Sequence, residues 1–354
     1  MQPEATAAPS NPASTLDALS VVIPVYNEEK WIRIAVDALC SAASAAEIAL
    51  DLVIVDDGST DSTPAVLDDL ARSTGARVVH QENAGRFAAR LTGLKAASEE
   101  RVLLLDSRVI VGPESLSWLQ AQIAEHPDRR VWSGHVDVET RDNSFALFWA
   151  GLVKIGWHRY TRNPRLVSFD LEDFDAYPKG TTCLLMPRDL LLEAMGGFDS
   201  LFDIEELSSD DTRLLRYVAG KERIWLSPDF NFVYHGKSGA KGFVKQSYFR
   251  GTTFVDSYLG HAGPVRRALL GAIAAGTVTA AVAVRHPRLG LAGAAAAVAM
   301  FPSAVHVAGG SCAEVRAAGT LAPAFIPLFG AGVLRGLGLA ASAALRARRG
   351  APTE

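Results

Sequence analysis

Short apolar runs alternate with helically spaced ones along the first third of the chain. Leu19 to Pro24 is an apolar run ended by a breaker, and Glu28 to Cys40 then sets Ile32, Ala35, Val36 and Leu39 at helical spacing. That predicts a strand, a loop and a helix, with Asn27 as the helix cap. The unit recurs as a strand over Leu50 to Val55, a turn-rich loop over Asp56 to Thr63 and a helix over Pro64 to Thr74. A third strand, Val78 to His80, a helix over Phe87 to Ala97 and a fourth strand, Val102 to Leu105, follow. Continuously apolar strands alternating with helices predict an α/β fold, a mostly parallel sheet flanked by helices. Further on, the pattern gives a helix near Ser115 to Glu125, strands near Val131 to Val138 and Gly180 to Met186, and helices over Arg188 to Met195 and Asp210 to Ala219. Ser208 or Ser209 is expected to cap the last of these. Asn143 to Tyr177 yields no assignment; its apolar part, Phe145 to Trp157, reads as a membrane-surface helix, an acceptor-side helix or core packing.

Beyond about residue 260 the pattern changes character. Ala268 to Val284 and Leu289 to Val307 are uncharged runs, close to the ~20 residues that cross a bilayer. They predict a helical hairpin, with a soluble Ala-rich helical pair as the other reading. Leu321 to Leu345 is longer but carries Pro323, Pro327 and Arg335. Arg266 and Arg267 before the first run and Arg346, Arg348 and Arg349 at the end favour a cytoplasmic position for both ends, whereas Arg285 and Arg288 in the hairpin loop oppose it. The expected organisation is a disordered leader over 1–17, a catalytic domain over 18–260, and a helical membrane region of two or three helices over 261–354.

Charge excludes one class of partner. A formal net charge of -4 carries no polyanion signature, so no nucleic acid is expected. Cys40, Cys183 and Cys312 lack paired spacing, which excludes a disulfide scaffold or a zinc site and predicts three buried thiols in a reducing compartment. The first residues lack the basic start and apolar core of a signal peptide.

Candidate chemistry collects where the strands end. Open parallel sheets bind ligands beyond the carboxyl ends of their strands, and Pro24 to Asn27, the pair Asp56 and Asp57, and Asp106 all fall there. Gly58 permits a tight turn after the paired acids, which can hydrogen-bond ribose hydroxyls or cap the next helix. Asp106 ends a buried strand, where a carboxylate is costly unless it meets a cation, a ligand or a turn. Asp210 and Asp211 open a helix, a place that also favours acids through the helix dipole alone.

Six ordered segments carry a resemblance. They are Val21 to Glu29, Val55 to Asp61, Asn83 to Arg86 with Ala88-Ala89-Arg90, Leu103 to Asp106, Gly196 to Asp199, and Ser209 to Arg216. Together the chain resembles a family 2 glycosyltransferase over roughly Leu19 to Gly251, which implies the GT-A fold with C-terminal transmembrane helices. The resemblance implies that Pro24, Tyr26, Glu28 and Asp57 surround the base and ribose of a nucleotide-sugar, with Arg86 or Arg90 beside them; Asp56 is expected in the same donor site. It implies Asp106 at the metal or the ribose-diphosphate end. Asp211, with Asp210 as its neighbour, would be the base that deprotonates the acceptor hydroxyl.

Two departures stand out. The family usually places a second Asp two positions after Asp106, where this chain has Arg108; that cation either neutralises diphosphate or points to solvent. In the second case Asp106 would bind Mg2+ or Mn2+ with His235 and water, although a buried structural role for His235 is equally open. The family's Gln-x-x-Arg-Trp-type segment is only partly matched by Lys245 to Gly251; Arg250 or Lys245 closes over the diphosphate, with Gly236 to Gly242 as a lid, or the strip lies basic at a membrane. The resemblance thus implies an inverting transfer from a UDP- or GDP-sugar; membrane attachment alone points to a lipid-linked or growing polysaccharide acceptor in cell-envelope synthesis, with the domain expected on the cytoplasmic face of the membrane. A non-catalytic nucleotide-binding membrane scaffold and a sugar nucleotidyltransferase are the alternatives, the latter opposed by the absence of glycine from Pro24 to Glu29.

Overall fold

The structure is a computed structural model and describes residues 15–197, 200–202 and 210–350, the side chains of Asp210 and 347–350 excepted. The expected Ser208 or Ser209 cap and part of the Gly196 to Asp199 turn lie outside the described residues.

β1 (Ala18–Val25), β2 (Ala49–Asp57), β3 (Arg77–Gln81) and β4 (Arg101–Leu105) form the parallel block of the sheet, in the order β3-β2-β1-β4. β1 and β4 are buried almost throughout because helices cover both faces, which is why their sequences run apolar without alternation. Val21, Ile23 and Val25 face α1 (Ile32–Ala45), α2 (Thr63–Thr74) and α4 (Ser115–Glu125); Val22 faces the opposite layer with α3 (Arg86–Ala96), α6 (Arg188–Gly196) and α7 (Asp210–Ala219). The sheet then becomes mixed. β8 (Cys183–Pro187) runs antiparallel to β4, and beyond it come β6 (Val131–Val138), β9 (Ile224–Tyr234) and β5 (Val109–Val111), with β7 (Val167–Phe169) on β9.

Several boundaries differ from expectation. α1 begins at Ile32 rather than Glu28, and Asn27 does not cap it. Asn27 instead takes a left-handed φ of 56°, and its Oδ1 accepts from Thr60 N at 2.7 Å, tying the β1 loop to the β2 loop. Packing starts before residue 18, since Leu16 is fully buried. Only Cys183 is buried; Cys40 is half-buried and Cys312 exposed.

The unassigned stretch contains α5 (Ser144–Thr161), capped by Asn143 Oδ1, which accepts from Phe145 N and Ala146 N at 3.1 Å each. Its Phe148 lies 5.2 Å from Phe243 and 4.9 Å from Phe325, ring centre to ring centre. The core-packing reading of this helix therefore holds, and its partners come from α8 (Ala240–Tyr258) and α11 (Cys312–Gly350). Lys154 on α5 adds an ion pair at 2.7 Å to Glu314 on α11, a carboxylate only 7% exposed. The expected lid is shorter than Gly236 to Gly242, because Lys241 already lies in α8.

α9 (Pro264–Arg285) and α10 (Pro287–Val307) form the expected hairpin. The third apolar helix begins at Cys312, ahead of the expected Leu321, and continues through Pro323 and Pro327. All three are long and apolar enough to cross a membrane, with mean hydropathy of 1.7, 1.5 and 1.6 over their best windows. Val284 is 84% exposed, Leu291 73% and Met300 67%, the arrangement of helices whose apolar side chains face something other than this chain.

Candidate active site

Val25 pairs with Asp56, and Val22 with Leu104, so the ends of β2, β1 and β4 stand side by side. At ~4.8 Å per strand, Asp56 and Asp106 flank β1 roughly 10 Å apart. The strand ends expected to converge therefore do so, although the acids on them do different work.

Asp57 is only 4% exposed and spends its carboxylate on the chain itself. Oδ1 accepts from Gln81 Nε2 at 2.7 Å and from Ala84 N at 2.9 Å, and Oδ2 accepts from Gly85 N at 2.9 Å. Asn83 Nδ2 returns a bond to the Asp57 carbonyl at 2.9 Å. These bonds hold the loop that opens α3. Gly58 completes the turn with φ +74°, and a Cβ there would stand 2.8 Å from Asn83 N. Asp56 accepts from Ser59 N at 3.0 Å and meets His80 Nδ1 at 2.9 Å. The sequence offered a signal for this supporting role in Asn83 to Gly85, which matched the family pattern without any assigned task.

Tyr26 is 45% exposed at the mouth beyond Pro24. Glu28, beside it, is nearly buried and pairs with Arg108 through Nε to Oε2 at 2.7 Å. Arg108 therefore points inward, and its charge is committed to Glu28.

The fixed loop delivers α3, and α3 delivers Arg86 and Arg90. Arg90 has only 3% of its side chain exposed; NH2 donates to Asp106 Oδ1 at 2.8 Å and NH1 to Asp211 Oδ1 at 3.1 Å. Arg86 approaches Asp211 Oδ2 at 3.5 Å, and the Thr181 hydroxyl also donates to Asp211. Arg90 thus joins the end of β4 to the start of α7. Arg86 or Arg90 was expected beside the base and ribose; Arg90 pairs with Asp106 and Asp211, and Arg86 with Asp211. Burial alone would raise the Asp211 pKa, but Arg86 and Arg90 outweigh it and hold the carboxyl well below the usual carboxylate range. Asp210, named as its neighbour, has a side chain outside the described residues.

Arg250 on α8 lies with its guanidinium 4.8 Å over the Trp149 ring, within electrostatic reach of Tyr234, Asp211 and Arg86. His235 stacks on Trp31 at 4.3 Å, and burial lowers its pKa. Among the described residues no group of three or more His, Cys, Asp or Glu stands ready to hold a metal ion. Asp106 is paired with Arg90, so a divalent ion fits only where a bound diphosphate supplies most of its ligands.

A mostly parallel sheet covered by helices, with acids and arginines at its carboxyl rim, defines an α/β domain of the GT-A type. Residues 20–189 match the family described as Glycosyl transferase family 2, and this segment of the chain belongs to that family. The chain is 28% identical over 137 residues to glycosyltransferase GlyG of Streptococcus pneumoniae, 38% of this chain and 44% of that protein. It is 31% identical over 149 residues to an undecaprenyl-phosphate 4-deoxy-4-formamido-L-arabinose transferase of Pseudomonas aeruginosa, 41% of this chain and 43% of that protein. The match thus spans less than half the length of either relative. The mannosyltransferase PcManGT of Pyrobaculum calidifontis, solved with GDP-Man and Mn2+, shares the fold with a TM-score of 0.53 at 21% identity, over 90% of this chain and 86% of that one.

Proposed function

We propose that the chain transfers a sugar from a UDP- or GDP-sugar to a lipid-linked or growing glycan acceptor at the cytoplasmic face of a membrane. The observation that supports this reading is the Arg90 bridge between Asp106 and Asp211, with Arg86 closing on Asp211 from its other oxygen, which brings two guanidiniums and the candidate base together. Pro24, Tyr26, Glu28 and Asp56 would line the nucleoside side, while Asp57 fixes the loop behind it. The acceptor hydroxyl attacks the anomeric carbon as the bond to the diphosphate breaks on the opposite face, with inversion. Its proton passes to Asp211, and Arg86, Arg90 and Arg250 take up the charge on the departing diphosphate.

The relative in P. aeruginosa bears the name of an undecaprenyl-phosphate transferase, and the three apolar helices give this chain a means of meeting such an acceptor in a bilayer. A divalent ion bound between Asp106 and the diphosphate would neutralise further charge. Titration of donor turnover with Mg2+, Mn2+ and EDTA decides whether it is needed; arginine neutralisation alone predicts activity that survives EDTA.

The test is transfer of label from UDP- and GDP-sugars by the detergent-solubilised full chain supplied with a polyprenyl-linked glycan that presents a free hydroxyl. Asp211→Asn is expected to lower turnover by roughly 10²–10⁴-fold. Turnover unchanged by that substitution overturns the base assignment. A chain that binds nucleotide yet transfers nothing to any acceptor would be a scaffold.

A further inference from the structure

Asp211 stands in a place where a base must be free to take a proton, yet two arginines and a hydroxyl hold it. Arg90 grips it at 3.1 Å while its other terminal nitrogen grips Asp106 at 2.8 Å, and Arg86 closes from the other oxygen at 3.5 Å. A carboxylate so paired is a weak proton acceptor. The same guanidiniums lie at the carboxyl rim of the sheet, where the proposed donor site would hold a diphosphate, and guanidinium favours the bidentate geometry that a diphosphate offers.

We propose that Arg90, assisted by Arg86, is a positioning residue that latches Asp211 in the donor-free enzyme and lets it go when a nucleoside diphosphate group draws the guanidiniums away. Asp211 and the donor's diphosphate therefore compete for the same two cations. Donor binding precedes proton abstraction, and an acceptor that arrives first meets a base that is still latched. Arg90 suits this task because it is buried and already spans both carboxylates, so a small rotation exchanges one anion for another. The inference rests on the proposed donor site and adds a competition which that site does not require.

The competition has a consequence opposite to the usual effect of damaging a site. Removing the charge of Asp211 should tighten the hold on a nucleoside diphosphate while turnover is lost. We would measure UDP, GDP, uridine and guanosine binding to the detergent-solubilised full chain by calorimetry, with EDTA and again with Mg2+. Two neutral replacements of different shape, Asp211→Asn and Asp211→Ala, guard against a local packing artefact, and their melting temperatures confirm folding. The expected result is an affinity for the preferred diphosphate raised by about three- to tenfold in both variants, with the matching nucleoside unchanged. Arg90→Gln should weaken the diphosphate and leave the nucleoside as it was. Diphosphate affinity that stays level or falls in the Asp211 variants overturns the latch, as does an equal gain for the nucleoside. If the unaltered chain binds neither UDP nor GDP, the donor site itself falls and the latch with it; if it binds one of them normally, the latch alone is being judged.

Discussion

Asp57 spends its carboxylate on the loop that opens α3. Its carboxylate is nearly buried and accepts from Gln81, Ala84 and Gly85, so Asp57→Ala would leave two backbone amides and a side-chain amide without their acceptor. An unmet buried donor costs about 1–3 kcal/mol, and we expect a stability loss of roughly 2–4 kcal/mol in denaturant unfolding. Diphosphate affinity should fall with it, because Arg86 and Arg90 ride on the loop that Asp57 fixes. The sequence made the address of this site readable: paired acids at one strand end and a lone acid at another are local patterns. The destination of each side chain was less legible, because Arg90 meets Asp106 and Asp211 across separations of 16 and 121 residues. Arg108 likewise carried no mark in the sequence of its pairing with Glu28, 80 residues away.

Among elements, the parallel block is pinned at the end opposite the crevice by Asp51 on β2. Its carboxylate accepts from Ser20 on β1 at 2.6 Å and from Ser98 N, before β4, at 2.8 Å, and pairs with Arg77 on β3. Burial alone would raise its pKa, but these donors lower it to about 2. An acid whose folded pKa lies below its unfolded value of about 3.9 stabilises the fold above that value and stops doing so as pH falls through the folded one. Asp51 should therefore contribute at most about 2 kcal/mol above pH ~4, lost progressively between pH ~4 and ~2. Asp51→Asn should flatten that part of the acid-unfolding curve, with its full loss of up to about 2 kcal/mol at neutral pH and little difference from the unaltered chain below pH ~2.

The contact between α8 and α11 is the other element-scale feature. Gly332 lies against the Tyr248 carbonyl, and a Cβ there would stand 3.0 Å from Gly251 Cα. Gly332→Val must push the helices apart, at a cost of about 1–3 kcal/mol from overpacking, read as a lower melting temperature in detergent. Periodicity predicted helices on both sides of this contact, yet it gave no sign that they touch, since α11 carries the glycine and α8 the carbonyl. The prolines in α11 were equally misleading: Pro323 and Pro327 mark a break by local rules, and the helix passes through both.

For the whole molecule, α5 and α8 and the apolar helices share one cluster of side chains. Phe148 of α5 and Phe243 of α8 close one side of a cluster whose other side is Phe325 of α11. A chain ended at Ala262 would expose that cluster, so we expect it to aggregate or to require detergent, as size-exclusion chromatography would show. The full chain is expected to fractionate with membranes and to resist extraction by alkaline carbonate, which separates a crossing helix from a surface one.

That shared cluster has a geometric consequence. With α9 to α11 in a bilayer, α8 is welded along α11 and the crevice sits at a fixed altitude above the lipid. Under the proposed function the protein would then act as a gauge, reaching only an acceptor hydroxyl presented at that height, whatever else the acceptor carries. Lengthening the Gly309-Gly310 connection ahead of α11 would leave the gauge unchanged, whereas wedging α8 from α11 would detune it.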